Sequence, residues 1–204
     1  MGHESTPDPV TLVYKTVAAL NPTLEGGTSE IPLHLDVYPP DPHSNRTSTS
    51  GDDGVGVPAV VYFHGGGLLV GDRKSWFPEW LRGEKISIPP IYPQPLTGGR
   101  RAGRLSGQGV AFLSADYRLL SPSTGHNILA DIQDLFSYIR NDLNSALAGA
   151  TGKSGLRIDV DAIGVSGTSA GGLCAYLCAI HLSPKPRVLL SMYGQGGECL
   201  VRYL

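Results

Sequence analysis

The sequence predicts an α/β fold in which a mostly parallel sheet carries helices on both faces, and three observations support this prediction. Short runs of apolar residues recur along the chain, as expected for strands that are buried on both faces. Two segments between the later runs have the residue composition and spacing of buried helices. Strands that alternate with helices form parallel sheets. The length of 204 residues suits a single domain, residues 1–204.

Six segments have the pattern of strands. The first two alternate apolar and polar residues, and Pro39-Pro40 ends the second of them. The later segments are short continuous apolar runs, which are typical of buried strands. In chain order, the predicted strands cover residues 10–17, 31–38, 58–63, 110–115, 162–165 and 187–193.

Two helices are predicted, over residues 126–143 and 170–182. The first has one apolar stripe at three- and four-residue steps, and the second consists mainly of small and apolar residues. The stripe is formed by Ile128, Ile132, Leu135, Ile139 and Leu143. Each helix lies between two predicted strands, which favours a parallel sheet.

Two segments lack any such pattern. Residues 41–56 are rich in Ser, Thr, Asp and Gly, which predicts an exposed loop. Residues 82–108 combine prolines, paired glycines and basic residues without periodicity, which predicts an irregular insert. This insert is either a surface excursion or a lid.

The composition excludes several classes of function. Because 41% of the residues are hydrophobic and 17% are charged, the chain can form a core and is not disordered. The formal net charge is −2 without a basic block, so neither nucleic acid nor an acidic membrane surface is an expected partner. No membrane span and no signal peptide are recognisable.

The three cysteines, Cys174, Cys178 and Cys199, argue against a disulfide framework and favour a reducing compartment. Cys174 and Cys178 share one face of the second predicted helix, and no further Cys or His cluster completes a metal site. We interpret them as buried side chains. A soluble cytoplasmic protein without a metal is expected, and its oligomeric state cannot be predicted.

The segment Gly167-Thr168-Ser169-Ala170-Gly171 joins a predicted strand to a predicted helix. In such a turn, the small residues two before and two after the serine prevent backbone clashes while the serine is held under strain. The helix N-terminus beside it favours developing negative charge. The pattern predicts that Ser169 is a nucleophile, and the alternative is a glycine-rich turn without chemistry.

A second motif, His64-Gly65-Gly66-Gly67, directly follows a predicted buried strand. Consecutive glycines allow close backbone approach and can turn their N–H groups inward. Such donors form an oxyanion hole where a carbonyl oxygen becomes negative. Because both motifs follow the carboxyl ends of parallel strands, we expect them at the same edge of the sheet.

Together with two further motifs, these segments resemble the hormone-sensitive-lipase-like branch of the α/β-hydrolase fold, the fold-3 carboxylesterases. The further motifs are Gly71-Asp72-Arg73 and Asp116-Tyr117-Arg118-Leu119. The resemblance extends over residues 31–193 apart from the insert. It implies an α/β-hydrolase fold and hydrolysis of carboxylic esters with small or medium acyl chains, without a metal or organic cofactor.

By this resemblance, Ser169 is the nucleophile that attacks a small-molecule ester substrate. The N–H groups of Gly66, Gly67 and Ala170 form the oxyanion hole. The turn that presents these groups is shaped by Gly65.

Supporting roles are expected for His64 and Asp116. His64 holds the glycine loop in place. By the same resemblance, Asp116 and Arg118 connect the end of their strand to neighbouring loops.

A serine hydroxyl needs a base, and in this fold an acid and then a histidine follow the serine along the chain. Downstream of Ser169 the chain has only His181 and Glu198. His181 lies about 18 Å away along the same helix, so it cannot act as the base. His64 and His126 are the alternative bases. The simpler interpretation is structural for both: His64 holds the glycine loop in place, and His126 begins a helix.

The chain also ends one strand after the nucleophile helix, so we expect the C-terminal part of the fold, with its triad acid and histidine, to be missing. A truncated product or an imperfect gene model accounts for this expectation. Three interpretations stay open: an ester hydrolase with impaired activity, a non-catalytic protein that binds a small ligand, or an inactive fragment.

Overall fold

The computed structural model describes residues 9–20, 28–40, 56–75, 108–151 and 155–196. Within these ranges, six strands form one mixed sheet and three helices accompany it. The strands are β1 (Val10–Leu20), β2 (Thr28–Tyr38), β3 (Val57–Phe63), β4 (Ala111–Ala115), β5 (Ile158–Thr168) and β6 (Val188–Met192). The helices are α1 (Gly125–Asn141), α2 (Leu143–Thr151) and α3 (Ala170–His181). Of these helices, none is both long and apolar enough to cross a membrane.

The strand order is β1-β2-β4-β3-β5-β6. The last four strands in this order are parallel, whereas β2 is antiparallel to both β1 and β4. At the carboxyl ends of the strands, Phe63 pairs with both Ala115 and Gly167, and Thr168 pairs with Met192. The chain therefore leaves β3, β4, β5 and β6 at one edge of the sheet.

The main core lies between the sheet and the helices. All three helices contribute residues to this core, and α1 contacts both α2 and α3. Among the described residues the helices therefore lie on one face of the sheet, and the helices expected on its other face stay a prediction. Alternate residues of the central strands face the described helices, as the two-residue period of a strand requires. Nearly inaccessible members are Val61, Phe63, Leu113, Val165, Ile128, Ile132, Leu135 and Ile139. A smaller cluster contains Tyr62 and Phe112, whose ring centroids are 5.7 Å apart.

All six predicted strands are confirmed, with bounds that differ by a few residues. The second predicted helix is confirmed as α3, but the first is correct only to Asn141. The prediction that it continues to Leu143 is wrong, because the chain turns at Asp142 and starts α2. Asn144 connects α2 to the start of β5, since its side chain accepts from Ile158 N at 2.8 Å and donates to Ile158 O at 3.0 Å.

The two irregular segments of the sequence fall almost entirely outside the described residues. Of the predicted loop 41–56, only Gly56 is described, and of the predicted insert 82–108, only Gln108. The exposed loop, the insert and the single domain over residues 1–204 therefore stay predictions.

Candidate active site

Ser169 lies in a sharp turn between β5 and α3. Its φ of 51° and ψ of −118° are rarely adopted by residues with a side chain, so the turn holds the serine under strain. The turn is fixed by two backbone bonds, from Ser169 N to Met192 O at 3.1 Å and from Gln195 N to Ser169 O at 3.0 Å. The half-buried hydroxyl forms no hydrogen bond with any described residue.

Two glycines let this turn pack against the end of β3. A Cβ on Gly171 would lie 2.5 Å from His64 O and 2.6 Å from Phe63 C, well inside van der Waals contact. A Cβ on Gly167 would collide with the backbone of Gly171. Only glycine fits at either position, which explains why the serine is flanked by glycines in this motif.

The glycine loop after β3 touches the serine turn. A Cβ added to Gly65 would lie 3.5 Å from Ser169 Cβ and 3.2 Å from Thr168 O, so the backbone of the glycine loop lies against the serine turn. Gly66 and Gly67 follow with φ values of 110° and 67°, which glycine adopts without steric cost. The two motifs that the sequence placed at one edge of the sheet are therefore in contact there.

Several backbone N–H groups of these two turns have no acceptor among the described residues. They include those of Gly66, Gly67 and Ala170, the first residue of α3. The N-terminus of this 12-residue helix adds a partial positive charge. Unpaired donors and a positive helix end favour negative charge in their vicinity.

His64 is buried against the glycine loop and the aromatic ring of Tyr117. Its Nδ1 lies 2.7 Å from Gly65 O, so a protonated Nδ1 donates to that carbonyl. The imidazole stacks on Tyr117 with centroids 4.4 Å apart, and the Tyr117 hydroxyl donates to His64 O at 2.8 Å. Burial lowers the pKa of His64 and outweighs the bond with Gly65, which raises it. A neutral imidazole that uses Nδ1 in this way holds the loop.

Asp116 anchors the segment that follows the glycine loop. Its Oδ1 accepts from Arg73 N at 2.9 Å. Its Oδ2 accepts from Arg73 Nη1 at 3.0 Å and from His34 N at 3.3 Å. The carbonyl of Arg73 is also bound, because the Ser114 hydroxyl donates to Arg73 O at 2.7 Å. Both the backbone and the guanidinium of Arg73 are thus bound to the end of β4.

Arg73 also contacts the fully buried carboxylate of Asp36 on β2. Arg73 Nε is 2.9 Å from Asp36 Oδ1, but its N–H is poorly aligned, so the contact is an ion pair and not a hydrogen bond. The Thr11 hydroxyl donates to the same oxygen at 2.6 Å. Burial alone would lower the pKa of Arg73, whereas the contacts with Asp36 and Asp116 raise it. The guanidinium therefore joins a carboxylate of β2 to the carboxylate that directly follows β4.

Sequence reasoning missed two residues of this region, Asp36 and Tyr62. The hydroxyls of Tyr62 and Thr168 are 2.8 Å apart and connect β3 to the residue before the serine. Burial raises the pKa of Tyr62 to about 12, so the phenol stays neutral. The available signals were a carboxylate between Leu35 and Val37 in a strand, and a hydroxyl in an otherwise apolar run.

The other candidate bases among the described residues, His126 and His181, are exposed at positions within helices. His126 is exposed at the second position of α1, and His181 is exposed at the last position of α3. Neither forms a hydrogen bond with the Ser169 hydroxyl within the part of the chain that the structure describes. Glu198 lies outside the described residues.

Cys174 and Cys178 are buried free thiols, as the sequence predicted. Burial raises the pKa of both, that of Cys174 to about 12, so neither is a thiolate. In the described ranges, no group of three or more His, Cys, Asp or Glu side chains is arranged to hold a metal ion.

Two of three comparisons with known proteins find similarity between this chain and esterases. No protein-family model matches the chain. Over 139 residues it is 26% identical to "Probable carboxylesterase M8" of Phoma sp. (strain ATCC 20986 / MF5453). The match covers 67% of this chain and 37% of that protein, so the chain spans little more than a third of this relative's length.

Solved structures of esterase 2 from Thermogutta terrifontis are also similar. The form phosphoramylated by tabun has a TM-score of 0.53 at 20% identity, over 98% of this chain and 63% of that one. The apo form has a TM-score of 0.52 at 22% identity with the same coverage. The propionate-bound form has a TM-score of 0.52 at 20% identity, over 93% of this chain and 56% of that one. Likeness at this identity shows the fold alone. The chain has the α/β-hydrolase fold that its motifs predicted.

Proposed function

We propose that this chain is a serine hydrolase of the hormone-sensitive-lipase-like branch, acting on carboxylic esters with small or medium acyl chains. The observation that carries the proposal is the contact between two turns. The hydroxyl of Ser169 forms no hydrogen bond with a described residue, and a Cβ added to Gly65 of the glycine loop would lie 3.5 Å from Ser169 Cβ. The similarity to a carboxylesterase and to an esterase fold supports the same reaction class.

In the proposed reaction, Ser169 Oγ attacks the ester carbonyl carbon, and the electron pair of the C=O bond moves to oxygen. The hydroxyl proton passes to solvent water, which in turn protonates the leaving alkoxide. The resulting oxyanion accepts hydrogen bonds from Gly66 N, Gly67 N and Ala170 N, while Gly65 gives the loop its close approach. Collapse of this intermediate expels the alcohol and leaves an acyl-serine, which water hydrolyses. Each donor of this kind contributes roughly 10²–10³ in rate. The chemistry requires neither a metal nor an organic cofactor.

The unbonded hydroxyl also sets a limit on the rate. Within the described ranges no imidazole contacts Ser169, and His64 uses its Nδ1 on Gly65. A serine without a base attacks slowly, and removal of triad partners leaves roughly 10³–10⁴-fold acceleration over water. We therefore propose that turnover by this chain is impaired. His64 and Asp116 act by holding the glycine loop and the segment after it.

The same observation favours a second candidate function, binding of a small ligand without turnover. Amide donors beside Ser169 could hold a carbonyl or carboxylate oxygen of a ligand whether or not a base is present. This candidate predicts that a ligand stabilises the fold while no acyl-serine forms.

Release of nitrophenolate from p-nitrophenyl acetate separates the two candidates. Acylation predicts a burst of up to one equivalent, which Ser169→Ala abolishes. The matched control is Ser137→Ala, which removes an exposed hydroxyl on α1 and keeps the burst. A burst that survives Ser169→Ala contradicts the proposed nucleophile. Absence of a burst together with ligand-dependent stabilisation supports binding alone.

For the cellular setting, we propose a cytoplasmic protein whose partner is a small-molecule ester. The free thiols of Cys174 and Cys178 support a reducing compartment. Mass spectrometry of the chain isolated from its native cells under alkylating conditions tests this, since the proposal predicts that both thiols are fully reduced.

A further inference from the structure

A cleft of about 220 Å³ opens at the edge of the sheet opposite to Ser169. Its apolar side is formed by Phe136 and Ile139 of α1 and by Ile163 of β5, all of them buried. Ile163 lies on β5, six residues before Ser169, which directly follows that strand. At a strand rise of ~3.3 Å per residue, the cleft is about 20 Å from the serine, so it is separate from the candidate active site.

The polar rim of this cleft is strongly basic. Arg140, Lys185 and Arg187 line it, and Asp161 is the single acid among its lining residues. The cleft thus has a formal surplus of two positive charges, although the whole chain has a net charge of −2. A local excess of this kind attracts anions.

Backbone carbonyls hold two of these cations in place. Arg187 Nε donates to Asp161 O at 2.8 Å, and Arg140 Nη2 donates to Pro184 O at 3.0 Å. Carbonyl oxygens orient a guanidinium without neutralising its charge. In the part of the chain that the structure describes, the two terminal nitrogens of Arg187 have no partner, so they are available to a ligand.

Lys185 completes the basic rim at the end of α3. Its Nζ donates to Ala179 O and to Ile180 O, both at 2.6 Å. These are carbonyls of the last turn of the helix, where a cation is favoured. The ammonium group of Lys185 is therefore also held in place by backbone carbonyls. Among the described residues, it forms no ion pair with a carboxylate.

We propose that this cleft binds a small anion with an apolar body, such as a carboxylate or a phosphate carried on a ring or a short aliphatic chain. The guanidinium of Arg187 presents paired N–H donors that match the two oxygens of such a group. The apolar body packs on Phe136, Ile139 and Ile163. The proposal goes beyond ester hydrolysis and does not depend on Ser169 chemistry.

Fluorine NMR titration of the whole chain with 4-fluorobenzoate tests the proposal. The neutral probe 4-fluorobenzamide has the same ring without the charge. We expect saturable binding of the benzoate in the millimolar range and binding of the amide at least about ten-fold weaker. No saturable binding of benzoate up to about 10 mM, or equal binding of the two probes, overturns the proposal.

Three variants locate the binding. Arg187→Gln should raise the Kd for 4-fluorobenzoate about ten-fold, because it removes a charge-assisted contact. Asp161→Asn should lower the Kd for 4-fluorobenzoate, because it removes a negative charge that repels the anion. Arg157→Gln removes an exposed cation that does not line the cleft and should leave the Kd within two-fold.

Circular dichroism melts establish that each variant folds before its Kd is compared. A Kd that Arg187→Gln leaves within two-fold overturns the proposal, since the anion then binds elsewhere. If Arg187→Gln does not fold, Asp161→Asn decides: a lowered Kd supports the cleft, and an unchanged or raised Kd overturns it.

Discussion

Gly171→Ala tests the close contact between the start of α3 and the end of β3. The added Cβ would lie 2.5 Å from His64 O and 2.6 Å from Phe63 C, and closer still to Phe63 O. Ordinary van der Waals contact begins near 3.4 Å. The two elements must therefore separate by about 1 Å, which a close-packed interior resists. Both colliding groups are backbone, so rotation of a side chain cannot relieve the overlap.

We expect Gly171→Ala to lower the free energy of unfolding by about 3 kcal/mol, at the upper end of the range for overpacked cores. For a chain of this length, that corresponds to a fall in Tm of about 6–12 °C. Urea denaturation followed by circular dichroism measures the change. The same separation moves Ala170 N away from the glycine loop, so the nitrophenolate burst should fall as well.

Gly149→Ala is the matched control, with the opposite sign. Gly149 lies in α2, and a Cβ there meets nothing within 4 Å. Replacing it with alanine should stabilise the fold by about 0.5–1 kcal/mol, because alanine loses less backbone entropy in a helix. A Gly171→Ala variant with a free energy of unfolding within about 0.5 kcal/mol of the parent would refute the packing described for the two turns.

Three further changes test the network around the glycine loop. Tyr117→Phe removes the donor to the buried carbonyl of His64, and urea denaturation should show a free energy of unfolding lower by about 1–3 kcal/mol. An unchanged urea midpoint would contradict this hydrogen bond. Arg73→Gln leaves the carboxylates of Asp36 and Asp116 without their cation, and thermal melting should show a loss of about 2–4 kcal/mol, larger than that of Arg73→Lys. Because burial lowers the pKa of His64, the unfolded chain binds its proton first, so stability should decline as pH falls below the ordinary value of 6.5 toward the lowered pKa. His64→Asn should flatten that decline in urea midpoints measured across this range, and an identical slope in both proteins contradicts a buried neutral imidazole.

The features that could be predicted from the sequence depend on neighbours along the chain. The run over residues 58–63 predicted β3 because a strand buried on both faces needs continuous apolar residues. The glycines around Ser169 predicted its turn because a Cβ at those positions collides with backbone. The contact between this turn and Gly65 followed from parallel strands ending at one edge.

The features that the sequence did not predict depend on contacts between distant segments. The apolar stripe continues through Leu143, yet the first helix ends before Asp142, and Asn144 in the next helix binds the backbone of Ile158 at the start of β5. The ion pairs of Arg73 join residues from β2 and the end of β4, which no local pattern connects. The basic cleft is assembled in the same way.

β5 is longer than predicted for a related reason. Its first half contains Asp159 and Asp161, which interrupt the apolar pattern from which strands were predicted. The backbone nevertheless continues the strand, and Ile158 at its start pairs with Val57 of β3. The apolar run therefore predicted only the buried second half of the strand and not its full length.

The central claim is that the hydroxyl of Ser169 faces amides of the glycine loop. A crystal structure of the chain after reaction with paraoxon, which phosphorylates esterase 2 of Thermogutta terrifontis, tests this claim most directly. We expect phosphorus on Ser169 Oγ, with its phosphoryl oxygen about 3 Å from the backbone nitrogens of Gly66, Gly67 and Ala170. An adduct on another residue, or a phosphoryl oxygen directed away from all three nitrogens, would contradict the account.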